Sequence, residues 1–275
     1  MKNEKQLHKD AMGQLKKTSR TFYIPITLLE PTLKKTVASA YLCMRAIDEI
    51  EDNEKLEPST KSHLLSKTST LLNNTFNNDA YLELIDPYKQ LLPEVTLRLG
   101  DWLSVCPADI VEKVKESTST MAQGMAKWAE KNWDIQTKED LDDYTYYVAG
   151  LVGVMLSDIW EWRDGTKTDR NFAIAYGRGL QTVNILRNQE EDKERGISFI
   201  PNNWNSDDTF QYAEANLALG DEYMKDITSK NISLFCKIPL ELAKRTLKVL
   251  KSGREKMSRD EVNQTVEDIK NYHYH

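Results

Sequence analysis

A length of 275 residues allows one large domain or two small ones, and 40% hydrophobic with 29% charged residues is the balance of an ordinary globular chain with material for a sizeable core. A net charge of −6, with no long basic block, argues against nucleic acid as a partner. No apolar run reaches the roughly 18 residues of a membrane-spanning helix, and the N-terminal stretch lacks the apolar segment of a signal peptide.

In chain order, residues 4–17 have the spacing of a short amphipathic helix. Next, Thr18, Ser19, Arg20 and Thr21 stand in a row before Phe22. Hydroxyls beside one cation fit an anion-binding turn, but taken alone a helix cap at Ser19 or Thr18 is the favoured reading. Pro31 suits the first turn of the helix that follows. That helix is apolar nearly all round through Val37, Ala38, Ala40, Leu42, Cys43, Met44, Ala46 and Ile47, so it reads as buried. Tyr41, Arg45, Asp48 and Asp52, spaced by four, three and four, fall on one narrow arc at about 100° per residue. Asp48, Glu49, Glu51 and Asp52 crowd its end. Like charges one turn apart cost a helix about 0.2–0.5 kcal/mol per pair, so a cation is expected to offset them. A buried helix ending in carboxylates suits Mg²⁺, which takes carboxylate oxygens together with substrate phosphates. A solvated acidic helix end is the competing reading.

Residues 59–72 read as a polar helix and 73–79 as an Asn-rich loop, and Pro87 and Pro93 interrupt the helical spacing beyond it. A helix is expected over 108–132 after Pro107, with Met121, Gly124, Met125 and Trp128 as a core stripe. Thr137 and Asp140 form a capping-box pattern that opens a helix expected to run unbroken to Trp162. Gly150 and Gly153 weaken that helix, so either a neighbouring helix or a long apolar ligand should approach its backbone. After a turn-rich loop, the helix over 172–196 sets Gly177, Gln181, Asn184, Asn188 and Asp192 within an arc of roughly 80°, with Arg187 and Glu191 as an i,i+4 pair at its edge. Gly196 and Pro201 end it. Helices over 209–229, 232–253 and 258–271 complete the chain. The terminal His273 and His275 could ligate metal, with a solvated tail favoured. Cys43, Cys106 and Cys236 form no disulfide or metal-ligand spacing, which points to the reducing cytoplasm. With no alternating strand pattern and no repeat, the chain reads as one all-α domain over 1–275. A boundary at 73–79 is set aside because both polar helix faces suit one shared cavity.

Four blocks carry a resemblance: TSRTF at 18–22, YLCMRAIDEIED at 41–52, YTYYVAGLVG at 144–153, and GLQTVNILRNQEED with ERGISFIP over 179–201. In this order the chain resembles the squalene/phytoene synthase family, the head-to-head isoprenoid synthases. The resemblance implies an all-α isoprenoid synthase fold around a central apolar cavity. It implies Mg²⁺ ligands Asp48 and Asp52 facing Asn184, Asn188 and Asp192, and diphosphate contacts from Ser19, Arg20, Tyr41, Arg45, Gln181 and Arg187. Tyr144 would lie near the reacting carbons, with Arg45, Asp48 and Asp52 also in the catalytic set. The partners implied are prenyl diphosphates such as farnesyl or geranylgeranyl diphosphate, with transient membrane contact through an insoluble product. NADPH use is left open, because no Gly-rich nucleotide fingerprint is present and the family's reductive members lack one too.

The chain departs from the family at Asn188, where the second motif usually has aspartate; asparagine offers a carbonyl but no charge. A family aromatic expected near 252–256 is also absent, with Arg254 near the place. Three functions stay open on these residues. The first is head-to-head condensation to a squalene-, dehydrosqualene- or phytoene-like hydrocarbon. The second is a prenyl diphosphatase or terpene synthase that ionises one prenyl diphosphate. The third is a non-catalytic binding or assembly protein.

Overall fold

The structure is a computed structural model that describes residues 4–274, leaving aside the side chains of Arg20, Tyr272, His273 and Tyr274. The expectations for Arg20 as a phosphate contact and for the terminal histidines therefore lie outside the described residues. Regular structure among the described residues is entirely helical. No helix among them is long and apolar enough to cross a membrane. The chain groups into two compact units, one of residues up to Ile26 with Glu30–Asn132, the other of Thr27–Leu29 with the chain from Trp133 onward.

The first unit is built on one buried helix. Helices α1 (Glu4–Thr18) and α2 (Arg20–Thr27) lead into α3 (Pro31–Glu51). The α3 start is fixed by Glu30, whose carboxylate accepts the Thr32 and Leu33 N–H groups at 3.0 and 2.9 Å. Leu33, Val37, Ala40, Met44 and Ile47 are buried, and so are Ala38, Leu42, Cys43, Ala46 and Ile50 on other sides of the helix. A helix apolar all round needs cover all round, and it comes from α1, α4 (Pro58–Leu72), α6 (Glu94–Leu97), α7 (Leu99–Val105) and α8 (Val111–Glu130). The short α5 (Asn78–Ile85) packs on α4. Two buried hydroxyls are paired across the α3 seams: Ser39 Oγ donates to the Trp102 carbonyl at 2.7 Å and Thr96 Oγ1 to the Ala46 carbonyl at 3.0 Å. Met121, Gly124, Met125 and Trp128 are buried on α8, as a core stripe requires.

The second unit centres on a long helix. The expected capping box is present at Thr137 and Asp140, opening α9 (Lys138–Thr145). The helix does not run on unbroken. Tyr146–Gly150 form a π turn, in which the Leu151 N–H reaches back to the Tyr146 carbonyl, before α10 (Leu151–Asp164) resumes. The long α11 (Arg170–Glu194) lies against α9, the π turn, α10, α12 (Ser206–Lys225) and α13 (Lys230–Lys251), and α14 (Arg259–Tyr274) lies on α13. The glycines explain the approach of α10 and the π turn to α11. A Cβ on Gly153 would stand 2.1 Å from the Ala173 carbonyl oxygen, and one on Gly177 would stand 2.2 Å from that of Ala149. Close packing between helices is thus the reason for these glycines. Gly177, expected on the polar face of its helix, belongs to this packing seam instead. At the α11 end, Gly196 at φ +74° lets its own N–H bond the Lys193 carbonyl and the Ile197 N–H bond the Asp192 carbonyl, the Schellman pattern.

Candidate metal and diphosphate site

In the first unit the acidic end of α3 is a built cluster. Asp48, Glu51 and Asp52 each offer a carboxylate oxygen, and these oxygens lie within 4.8 Å of one another. Opposite ligands of a hexacoordinate Mg²⁺ stand about 4 Å apart, and the ion takes hard oxygen donors, so the donor set fits it with small side-chain adjustments. Among the described residues, no other group of three such donors occurs. Glu51, buried on the helix flank, takes the third position; its spacing three after Asp48 is the signal in the sequence that could have named it. Glu49 turns instead to Arg45, accepting from Nε at 2.9 Å and Nη2 at 2.6 Å, while Arg45 Nη1 bonds Asp48. Part of the cation needed to offset the acids therefore comes from the same helix, one turn back.

The electrostatics carry the mark of crowded carboxylates. Burial, with the neighbouring charge of Asp52, pushes the Asp48 carboxyl up to about 7 although Arg45 opposes the shift. Burial also raises the Tyr41 phenol, whose hydroxyl sits beside Ser19 and donates to the Thr18 carbonyl at 3.2 Å. Ser19 itself is buried and its Oγ accepts the Phe22 N–H at 2.9 Å, so it caps α2. The favoured reading of that turn holds, and the structure brings Ser19 and Tyr41 together one turn from Arg45 on α3. An open groove of about 850 Å³ elsewhere in this unit, lined in part by Asn74, Phe76, Gly100 and Lys115, contains none of these acidic residues.

In the second unit, Gln181, Asn184 and Asn188 are half-buried and Asp192 is buried along α11. Their contacts differ from the expected pattern in one respect. Arg187 does not pair with Glu191; its Nε donates to the neighbouring Asn188 Oδ1 at 3.2 Å. Asp192 is the face's single carboxylate. It is ion-paired with Arg195, and burial raises its pKa against the opposing pull of that guanidinium. Glu190 points to Lys193 at the exposed surface. Tyr144 is buried at the α9 end with its ring stacked on Phe199, centroids 4.9 Å apart at 18°. Phe199 lies in the segment after α11, a partner that helical spacing alone does not reveal. Arg254 pairs with Glu261 at 2.8–2.9 Å on the surface.

Comparisons with known proteins place the chain in a family and a fold. The squalene/phytoene synthase family model matches residues 15–210, a span that takes in both acidic helix ends. The squalene synthase of Candida albicans is 35% identical over 209 residues, covering 72% of this chain and 46% of that protein. The squalene synthase of Dictyostelium discoideum is 30% identical over 270 residues, covering 85% and 62%. The chain thus spans about half to three fifths of the length of these relatives. Among solved structures, a complex of TcSQS with the ligand E5700 superposes at a TM-score of 0.79 with 21% identity, covering 96% of this chain and 86% of that one. A ligand-bound dehydrosqualene synthase superposes at 0.70 with 18% identity, covering 98% and 97%. These likenesses give the fold, all-α and of the isoprenoid synthase type. With the α3 carboxylates and the motif blocks inside the matched span, the chain belongs to the squalene/phytoene synthase family.

Proposed function

We propose that the protein is a Mg²⁺-dependent prenyltransferase. It would join two prenyl diphosphates, farnesyl or geranylgeranyl, head to head and release pyrophosphate, giving a squalene-, dehydrosqualene- or phytoene-like hydrocarbon. The observation that carries this reading is the cluster of Asp48, Glu51 and Asp52 beside the guanidinium of Arg45, on a buried helix within the family-matched span. Asp48, Glu51 and Asp52 would hold metal on α3, and Asp192 with the amide oxygens of Asn184 and Asn188 would hold metal on α11. Bound Mg²⁺ would neutralise charge on the departing diphosphate.

The chain's own residues supply the rest. Arg45 presents a planar fork suited to phosphate oxygens, and Tyr41 and Ser19 add hydroxyls one turn away. Arg187, exposed on α11, is free to turn from the Asn188 amide toward a phosphate, with Gln181 two turns back. Tyr144, buried against Phe199, offers a ring face to a developing allylic cation where water is excluded. The family match runs from one compact unit into the other, which supports reading residues 1–275 as one functional domain. We read the location as cytoplasmic, with transient membrane contact imposed by a hydrocarbon product. Buried free cysteines at 43, 106 and 236 accord with a reducing compartment.

A second reading is favoured by one observation: the α11 face holds a single carboxylate, and Asn188 Oδ1 is engaged by Arg187. A weaker metal site there would leave an enzyme that ionises one prenyl diphosphate and lets water or an internal alkene capture the cation. Incubation with farnesyl diphosphate and Mg²⁺, with and without NADPH, followed by mass analysis of the organic extract, separates the two. A C30 hydrocarbon establishes condensation and shows whether NADPH reduces it. A C15 alcohol or cyclic hydrocarbon overturns condensation in favour of single ionisation. No pyrophosphate release from farnesyl or geranylgeranyl diphosphate overturns both and leaves a binding or assembly role.

A further inference from the structure

A π turn inside a helix changes the backbone pairing from i−4 to i−5, and a contact from a neighbouring helix at the junction can fix where the register changes. The turn Tyr146–Gly150 begins directly after Thr145, and Arg178 reaches this junction from α11. Its Nη2 donates to the Asp142 carbonyl at 2.9 Å and its Nε donates to Thr145 Oγ1 at 3.1 Å. The same Asp142 carbonyl accepts the Tyr146 N–H in the last α-helical turn before the π turn, so Arg178 adds a second donor from another helix to it. Tyr144 lies between the two anchored residues, with its ring on Phe199.

The Asp142 side chain is held as firmly as its carbonyl. Its carboxylate accepts the Tyr212 hydroxyl from α12 at 2.5 Å and the Lys138 ammonium at 2.7 Å. Trp204 packs on Tyr212, ring centroids 5.3 Å apart. A guanidinium serving only as an ion-pair partner would face the carboxylate. Here Arg178 Nε stands 3.6 Å from Asp142 Oδ1, farther than its donors stand from the carbonyl and the hydroxyl. Arg178 is thus aimed at the Asp142 carbonyl and the Thr145 hydroxyl, on either side of Tyr144 in the chain. Because α11 also carries Asn184, Asn188 and Asp192, the contact ties Tyr144 to the helix bearing that polar face.

We propose that Arg178, acting with Asp142 and Tyr212, is a positioning residue that fixes the α-to-π junction and through it the Tyr144 ring against the reacting carbons. The proposal rests on the prenyl diphosphate reading given above.

The test combines steady-state kinetics on farnesyl diphosphate with Mg²⁺ and amide hydrogen exchange over 142–150, in Arg178→Met, Arg178→Lys and Tyr212→Phe. Arg178→Met should speed exchange in that segment and lower kcat by about 10- to 100-fold while KM stays within about twofold, the cost of a small misplacement. Arg178→Lys should recover part of the loss, and Tyr212→Phe should move both readouts the same way by less. If Arg178→Met does not yield folded protein, the other two variants carry the test. An active wild type with variants whose kcat is unchanged, or whose loss lies wholly in KM, overturns the positioning role. Unchanged exchange over 142–150 overturns the anchoring of the junction. A wild type that turns over no prenyl diphosphate overturns the functional reading, and the positioning role with it. That case is recognised because the junction still loosens in Arg178→Met.

Discussion

Replacing Asp48 by asparagine should stabilise the fold at alkaline pH and leave it nearly unchanged at acidic pH. The Asp48 carboxyl is raised to about 7 in the folded protein by burial and by the charge of Asp52. An unfolded aspartate titrates near about 3.9. Between these values the folded state binds the extra proton. The stability this proton provides is complete below the unfolded pKa and is lost as pH rises through the folded one. A gap of about three pKa units would correspond to about 4 kcal/mol. The Asp48 side chain is 32% exposed and sits beside Arg45, so screening brings the expected effect to about 1–2 kcal/mol. Asparagine is neutral throughout and escapes the loss. Arg45 keeps Glu49, so the substitution leaves no orphaned guanidinium. For a chain of this size the gain is a rise of about 2–6 °C in Tm near pH 8, and almost none near pH 4. Thermal melts at both pH values, with chelator and then with millimolar Mg²⁺, provide the check. Mg²⁺ should raise the Tm of the wild type and do much less for the variant. A variant less stable than wild type near pH 8, or an equal response of both proteins to Mg²⁺, would refute the reading of Asp48 as a strained member of a metal-binding cluster.

The same Asp48→Asn variant should lose turnover of prenyl diphosphates by orders of magnitude, measured as pyrophosphate release; wild-type activity would remove Asp48 from the site. Asn188→Asp should lower the Mg²⁺ concentration giving half-maximal turnover, since it restores a charge on the α11 face, and an unchanged value would show that Asn188 does not limit metal binding. Gly177→Ala should destabilise the protein by about 1–3 kcal/mol in denaturant titration, because the new methyl meets the Ala149 carbonyl at 2.2 Å. A loss below about 0.5 kcal/mol would mean that α11 and the π turn separate at little cost.

Local chemistry in the chain determined the helical class, most helix boundaries and the two polar faces. Pro31, the Thr137–Asp140 box and Gly196 act within one turn of themselves, so their effect is readable without a fold. The arc through Tyr41, Arg45, Asp48 and Asp52 is equally local, because 3.6-residue periodicity fixes which side chains share a face. Tertiary structure decided what each polar group bonds. The acidic run is an exception, since Glu49 binds Arg45 and Glu51 joins Asp48 and Asp52 at helical spacing within one helix. Arg187 took the amide of Asn188 over Glu191. Gly177 fell to the packing seam because Ala149 comes against it from a segment distant in sequence. The π turn at Tyr146–Gly150 has no local signature, and the partners that hold it, Arg178 directly and Tyr212 through Asp142, lie 33 or more residues away. Periodicity records the face a side chain occupies; rotamer, ion-pair partner and helix register are set by neighbours that only the folded chain brings near.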